Sequence, residues 1–345
     1  MTSPSNLRSE DLPVNYIYDK ESARTLEEGP GGRIRLMSTT ELKGMTRMSV
    51  LELELNPGGV LNPMWHANAA KVGYCTRGEV VVTIHSPGQS DRFGVRKGEI
   101  FHVPEGSVHS LENQGEEGAS VKFTMNHGLP ETLTLSTAVD ATSAEALQST
   151  LSVDGAFVQG LRSSKARGML GMLKHPTPVK ASFSHRLKFD IENSDKVVDV
   201  QGGYLQVGMK VNLATLEGGG ILGFGVNPGG AVEPHWHPNS DEVVYITKGR
   251  VKVMLMSPDG TIERAEAGPG EGFYAPTSYF HSIEQTGSEP AEGIAFFNNP
   301  DMVYMGLGEA VGAFSDDVLA SAFDIETTAL DGCSKPGGPL VIVPA

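Results

Sequence analysis

Cysteine is nearly absent from this 345-residue chain, which has two. Cys75 sits in a strand-like apolar segment and Cys333 in a Gly/Pro-rich tail, so no disulfide framework is implied and Cys75 reads as a buried free thiol. Tryptophan is equally scarce, with two residues. Clustered positive charge is also missing. Lys and Arg number 27 against 42 Asp and Glu, a formal net charge of −15, and no basic stripe is offered to phosphate backbones or anionic lipid. Nucleic acid and membrane are therefore excluded as expected partners. A long apolar run is missing too: Met1 to Glu10 is polar, so no secretory leader or spanning helix is expected, and the cytoplasm is the expected location.

Glycine and proline, by contrast, are abundant, at 42 and 21 residues. The segments between them are short, rich in Val, Ile, Leu and Phe, and often alternating; Val251, Val253 and Leu255 interleave with Arg250, Lys252 and Met254. That pattern predicts an all-β chain of many strands and turns. The length suits two units, each large enough to bury its own core. Helical stretches are few: Asp140 to Leu151, with caps expected at Thr142 and Ser143, and a segment starting at Ser315 with an acidic first turn. A basic connector over 162–180 is expected to separate the units, placing domains at 1–165 and 166–345. The tail after Thr327 is a candidate exchanged arm.

A repeat organises the chain. A shift of 171 residues lays Asn56-Pro57-Gly58-Gly59 on Asn227-Pro228-Gly229-Gly230, and Pro63-Met64-Trp65-His66 on Pro234-His235-Trp236-His237. The second copy continues to Glu242, Gly249, Gly270, Pro276 and His281. In an extended strand His235 and His237 point to one face and Trp236 to the other. Trp65 and Trp236 thus read as packing residues on the outer face or at a domain interface. Glu242 follows on the next strand, and His281 arrives from a separate hairpin. Three imidazoles and a carboxylate form a set suited to one divalent transition metal, whether Mn, Fe, Ni, Co, Cu or Zn. A divalent ion with three neutral histidines and one glutamate keeps a charge of about +1, which favours a small anionic or enolisable substrate.

The first copy replaces two of the four. Met64 stands for His235 and Lys71 for Glu242, leaving His66 and His109. Three readings follow: a metal-free structural barrel with the Lys71 ammonium where a cation would sit, a soft copper(I) site of Met64, His66 and His109, or an active-site Lys71 aided by Cys75.

The paired patterns G-x5-HxH-x4-E-x6-G and G-x5-P-x4-H resemble the cupin superfamily, and the duplication resembles bicupins of the oxalate decarboxylase and germin-like type. The resemblance implies two tandem double-stranded β-helix, or jelly-roll, barrels with short flanking helices. It also implies His235, His237, Glu242 and His281 as ligands of manganese or iron, with substrate entering at the barrel mouth. Homo-oligomers, pairing through exchanged arms and outer faces, are expected by the same resemblance. Oxalate decarboxylases resemble this cassette but carry a substrate-gripping arginine three residues before the first histidine, where this chain has Val232, and Leu61 in the first copy. A catalytic Ser-Glu-Asn-Ser-Thr-like lid in the first barrel is likewise missing. Ser278 replaces a glycine, bulky Tyr279 and Phe280 adjoin it, and Gln285 stands where Asn113 does in the first copy. An apolar mouth, and a substrate larger or less charged than oxalate, are expected.

The leading functional expectation is a metal-dependent oxidoreductase or decarboxylase of the second barrel acting on a carboxylate-, enol- or carbonyl-bearing molecule. Tyr274, Tyr279 and Glu284 are its candidate proton carriers by nearness in sequence. A non-redox isomerase or hydrolase, and a non-enzymatic storage or sugar-binding protein, are the alternatives.

Overall fold

The computed structural model describes residues 16–163, 168–175 and 184–344. Met1 to Glu10 and much of the expected connector lie outside them. The alternating segments pair as antiparallel strands into four sheets, two of seven strands and two of six. Each barrel is one seven-stranded sheet laid against one six-stranded sheet, which is the two-barrel, all-β architecture that the repeat predicts. Short helices flank them at Leu135–Ala141, Ala144–Leu151 and Gly155–Ser163, and again at Leu307–Gly312 and Asp316–Phe323. Ser143 and Ser315 cap as expected, each hydroxyl accepting a backbone N–H three residues on. Thr142 instead closes the preceding helix. No described helix is long and apolar enough to cross a membrane.

The repeat extends further than its motifs. Gly32 and Gly203, also 171 apart, have φ of +141° and +148°, and a Cβ there would come within 1.9 Å of Glu54 O and 2.0 Å of Gly225 O. Only glycine allows the neighbouring strand so close. Leu170–Met172 pairs with the strand Gly59–His66, and Ile342–Pro344 pairs with the matching strand Gly230–Trp236. The tail is thus the second barrel's counterpart of the connector, and within this chain it pairs with its own barrel.

A boundary at 165/166 does not follow the sheets. Ile17–Asp19 joins the second barrel by pairing with Glu271–Ala275, and Lys188–Asp190 joins the first by pairing with Glu99–Val103. Each of these short strands covers a sheet edge that would otherwise expose unpaired backbone groups. Between the barrels lies a common apolar cluster in which Met45, Met48, Val72 and Ile100 pack with Leu216, Val243, Tyr274 and Phe296. A polar clasp beside it joins Arg47 to the fully buried Asp241, with Arg47 Nε 3.1 Å from Oδ2. Asp241 also accepts from the Thr277 amide at 2.8 Å and from the Tyr274 hydroxyl.

Among the described residues the first barrel's interior has no group of three His, Cys, Asp or Glu side chains placed to share an ion. His109 Nδ1 lies 3.1 Å from Ser107 O, so it donates there and leaves Nε2 as an acceptor. Lys71 Nζ donates to that Nε2 at 3.0 Å and sits 4.9 Å from the Phe123 ring centre. Burial pushes the Lys71 amine down to about 7. His66 bonds through Nδ1 to Thr132 Oγ1 at 3.1 Å. The Cys75 thiol, pushed up to about 12 by burial, donates to the carbonyls of Arg77 and Gly78 and not to Lys71.

Two outcomes follow. Arg47→Ala leaves Asp241 buried without its cation; because Arg47 is about half exposed, the expected loss is about 1–2 kcal/mol, seen as a lower thermal midpoint. An unchanged midpoint would refute the clasp. For Lys71, the folded pKa lies below the free lysine value of 10.5, so the unfolded chain binds the extra proton between about 7 and 10.5. Stability should therefore rise with pH across that window, by about 1 kcal/mol per unit from this group. Lys71→Met should remove that slope in pH-dependent denaturant titrations, and an identical slope in the variant would contradict the assignment.

Candidate metal centre

His235 lies on the strand Gly230–Trp236 and His237 one residue past its end, where strand parity turns both inward; their ring centres are 4.9 Å apart. A register shift between Val232 and His235 re-aims this stretch against the strand Phe280–Gln285, where His235 faces His281 directly. Ser278 takes the left-handed turn that a glycine takes in the first barrel: its φ is +65°, against +70° at Gly106. Its amide reaches His237 O at 2.9 Å, as Gly106 N reaches His66 O at 3.1 Å. The turn survives the substitution because the backbone bond is retained. Gln285 keeps the role of Asn113 in part: its amide donates within the following turn to Gly287 O at 2.8 Å and Glu289 O at 2.6 Å, whereas that of Asn113 donates to Glu117 O in its turn and to Leu55 O on another strand. Trp236 is half-buried and packs towards Phe280, with ring centres 6.2 Å apart.

One donor atom from each of His235, His237, Glu242 and His281 falls within 4.8 Å of the others, and all four residues are buried. Each histidine is oriented from behind by a backbone carbonyl. Nδ1 of His235 is 2.6 Å from Glu233 O, that of His237 3.0 Å from Val303 O, and that of His281 2.8 Å from Tyr279 O. A carbonyl accepts only, so every Nδ1 donates and every neutral Nε2 turns a lone pair inward. Glu242 Oε2 stands 3.2 Å from His237 Nε2 and 2.8 Å from His281 Nε2. Neither contact has hydrogen-bond geometry, and all three atoms are buried without a hydrogen-bonding partner. Orphaned, convergent lone pairs on buried side chains are costly unless a cation takes them, so the residues fit a divalent ion. Burial together with the neighbouring His281 and His237 holds the His235 imidazole neutral.

Above the cluster lies a cavity of about 370 Å³. The structure does not bring the expected proton carriers to it. Glu284 is exposed on the outer face of its strand, Tyr274 is buried in the inter-barrel cluster with its hydroxyl on Asp241, and Tyr279 stands beside Tyr16 at a ring-centre distance of 5.7 Å. The apolar lining does not come from Tyr279 or Phe280 either, but from Leu205, Leu222, Phe224, Phe297 and Val232. Two residues not anticipated from the motifs do line it, Asp301 and Tyr304. The Tyr304 ring stacks on His235 at 4.4 Å and 18°, and burial near Glu233 and Glu242 pushes its phenol up. The loop that carries both is pinned by Asn239, whose side chain donates to Asp301 O and accepts from the Val303 amide at 3.0 and 2.8 Å. The repeat held the missed signal: Thr132 pairs with His66 at the first-barrel place of Tyr304, one residue before the segment that pairs with Trp65 and Met64.

The cupin family profile matches residues 20–159 and 189–330. Oxalate decarboxylase OxdC of Bacillus subtilis (strain 168) is 23% identical over 325 residues, covering 90% of this chain and 83% of that protein. The rhicadhesin receptor of Pisum sativum is 34% identical over 104 residues, 29% of this chain and 48% of that one. A solved structure of the Bacillus subtilis decarboxylase at pH 4.6 superposes with a TM-score of 0.82 at 21% identity, covering 98% and 90% of the two chains, and another, studied for its Mn(II) centres, also has a TM-score of 0.82. With the profile matched once in each half and one His/Glu cluster in the second, this chain belongs to the cupin family as a two-barrel, oxalate decarboxylase-like member.

Proposed function

We propose that the chain is a metal-dependent enzyme of the second barrel, a decarboxylase or oxidoreductase acting on a small molecule with a carboxylate or enol, and that oxalate is not its substrate. The observation that carries this is the convergence of three imidazole lone pairs and one carboxylate on the floor of a cavity. One hydrogen bond from each Nδ1 to a backbone carbonyl holds the three imidazoles before any ion arrives. Manganese or iron fits the mixed nitrogen and oxygen set, and manganese has the added support of the Mn(II) centres named for the Bacillus subtilis relative. When bound, the ion supplies Lewis acidity that polarises the substrate's oxygen atoms and stabilises developing negative charge.

The chain's own residues divide the remaining work. Neutral histidines and one glutamate leave the centre about +1, which draws an anionic head to it. Tyr304, with its phenol held protonated, is suited to give a hydrogen bond to a substrate oxygen rather than to surrender its proton, and Asp301 at the mouth is suited to accept a proton. Apolar walls exclude water from the reacting group. Val232 lines the cavity where the oxalate-decarboxylase resemblance calls for an arginine, and no described Lys or Arg lines it. A doubly charged substrate would therefore have no guanidinium fork to receive its second carboxylate.

Elemental analysis of purified protein is expected to find about one manganese or iron per chain, with binding weakened by about 100-fold or more in His237→Ala and Glu242→Gln. Near-zero metal after reconstitution would overturn the proposal, and two ions per chain would overturn the metal-free reading of the first barrel.

A further inference from the structure

The cavity above the metal cluster is larger and more apolar than a two-carbon dianion requires. Its volume of about 370 Å³ lies within the range of about 300 to 1,000 Å³ typical of pockets for drug-sized ligands. Val207, Leu222 and Phe224 form one wall, Val232 and Ile283 the other, and Phe297 closes the side nearest His237, with ring centres 4.9 Å apart. The apolar character continues to the rim, where Val211 is 87% exposed and Met302 lines the opening. The nearest cation in sequence to that rim, Lys210, lies 3.7 Å from Asp301, so it is already matched to a carboxylate. No described Lys or Arg lines the cavity, so positive charge offered to a ligand would come from the ion at the floor, and apart from Asp301 and Tyr304 the walls above it reward burial of carbon.

We infer that the substrate is a monoanionic amphiphile: one carboxylate, 2-oxocarboxylate or enolate head, joined to an uncharged body the size of a medium-length alkyl chain or a single aromatic ring. The head meets the cluster and the body lies between Leu222, Phe224 and Ile283. This rests on the metal-centred function proposed above and adds to it the shape and charge of the ligand. A second charged group on the body would be stripped of water against side chains that cannot bond it.

The test is calorimetric binding to the manganese-loaded full chain, using oxalate, propanoate, hexanoate, octanoate and phenylpyruvate. Affinity is expected to rise about three- to fourfold per added methylene until the cavity is full, with octanoate and phenylpyruvate at least tenfold tighter than oxalate. Val232→Arg should reverse the order, weakening octanoate and strengthening oxalate. Leu205→Asn, a gentler change on a half-buried residue of the same lining, should flatten the chain-length slope and keeps the test informative if the arginine variant fails to fold. A flat slope in protein that holds its metal, or oxalate binding tighter than octanoate, overturns this inference and leaves the metal-centred reading standing. A slope that persists in protein shown to hold no metal supports the apolar-body assignment while overturning the reaction.

Discussion

Three backbone carbonyls, those of Glu233, Val303 and Tyr279, decide what the second barrel can do. Each takes the Nδ1 proton of one histidine, and each is itself fixed by the sheet or by a pinned loop. The imidazoles cannot rotate to satisfy Nε2 elsewhere without breaking a bond already made. Glu242, at the start of the neighbouring strand, completes the set. The centre is therefore a property of the barrel backbone as much as of four side chains, and the cavity walls, the stacked Tyr304 ring and the loop of Asp301 are arranged around that fixed point.

The first barrel shows the same device turned to another end. His109 is held by Ser107 O as His281 is by Tyr279 O, but the inward lone pair meets the Lys71 amine. Where one barrel gathers acceptors, the other supplies a donor from within the chain. The Lys71 amine meets the His109 lone pair from within the chain, and the first barrel contributes half of the common cluster and the Arg47 hold on Asp241, the residue beside Glu242.

Much of this was legible in the sequence because the repeat and strand parity are local. Period-two alternation places His235 and His237 together, and turn glycines mark the bends. Which side chains line the cavity was not legible, since neighbouring positions on one strand point to opposite faces and a one-residue step sent Glu284 outward while Gln285 turned in. Tyr304 and Asp301 reach the cavity from a loop about twenty residues past the last motif, where only pairing with Trp236 and His235 reveals their place. The domain boundary was obscured for a similar reason. Strands of three residues, such as Ile17–Asp19 and Lys188–Asp190, carry too little pattern to announce which sheet they complete.

Those two crossing strands bear on how the chain is made. As it leaves the ribosome, the first barrel lacks the strand at Lys188–Asp190 until the beginning of the second half has been synthesised. Ile17–Asp19 waits longer still, with no partner until Glu271–Ala275 exists. Neither barrel can complete its sheets from its own half alone, and the second must recover a segment made about 250 residues before its partner strand.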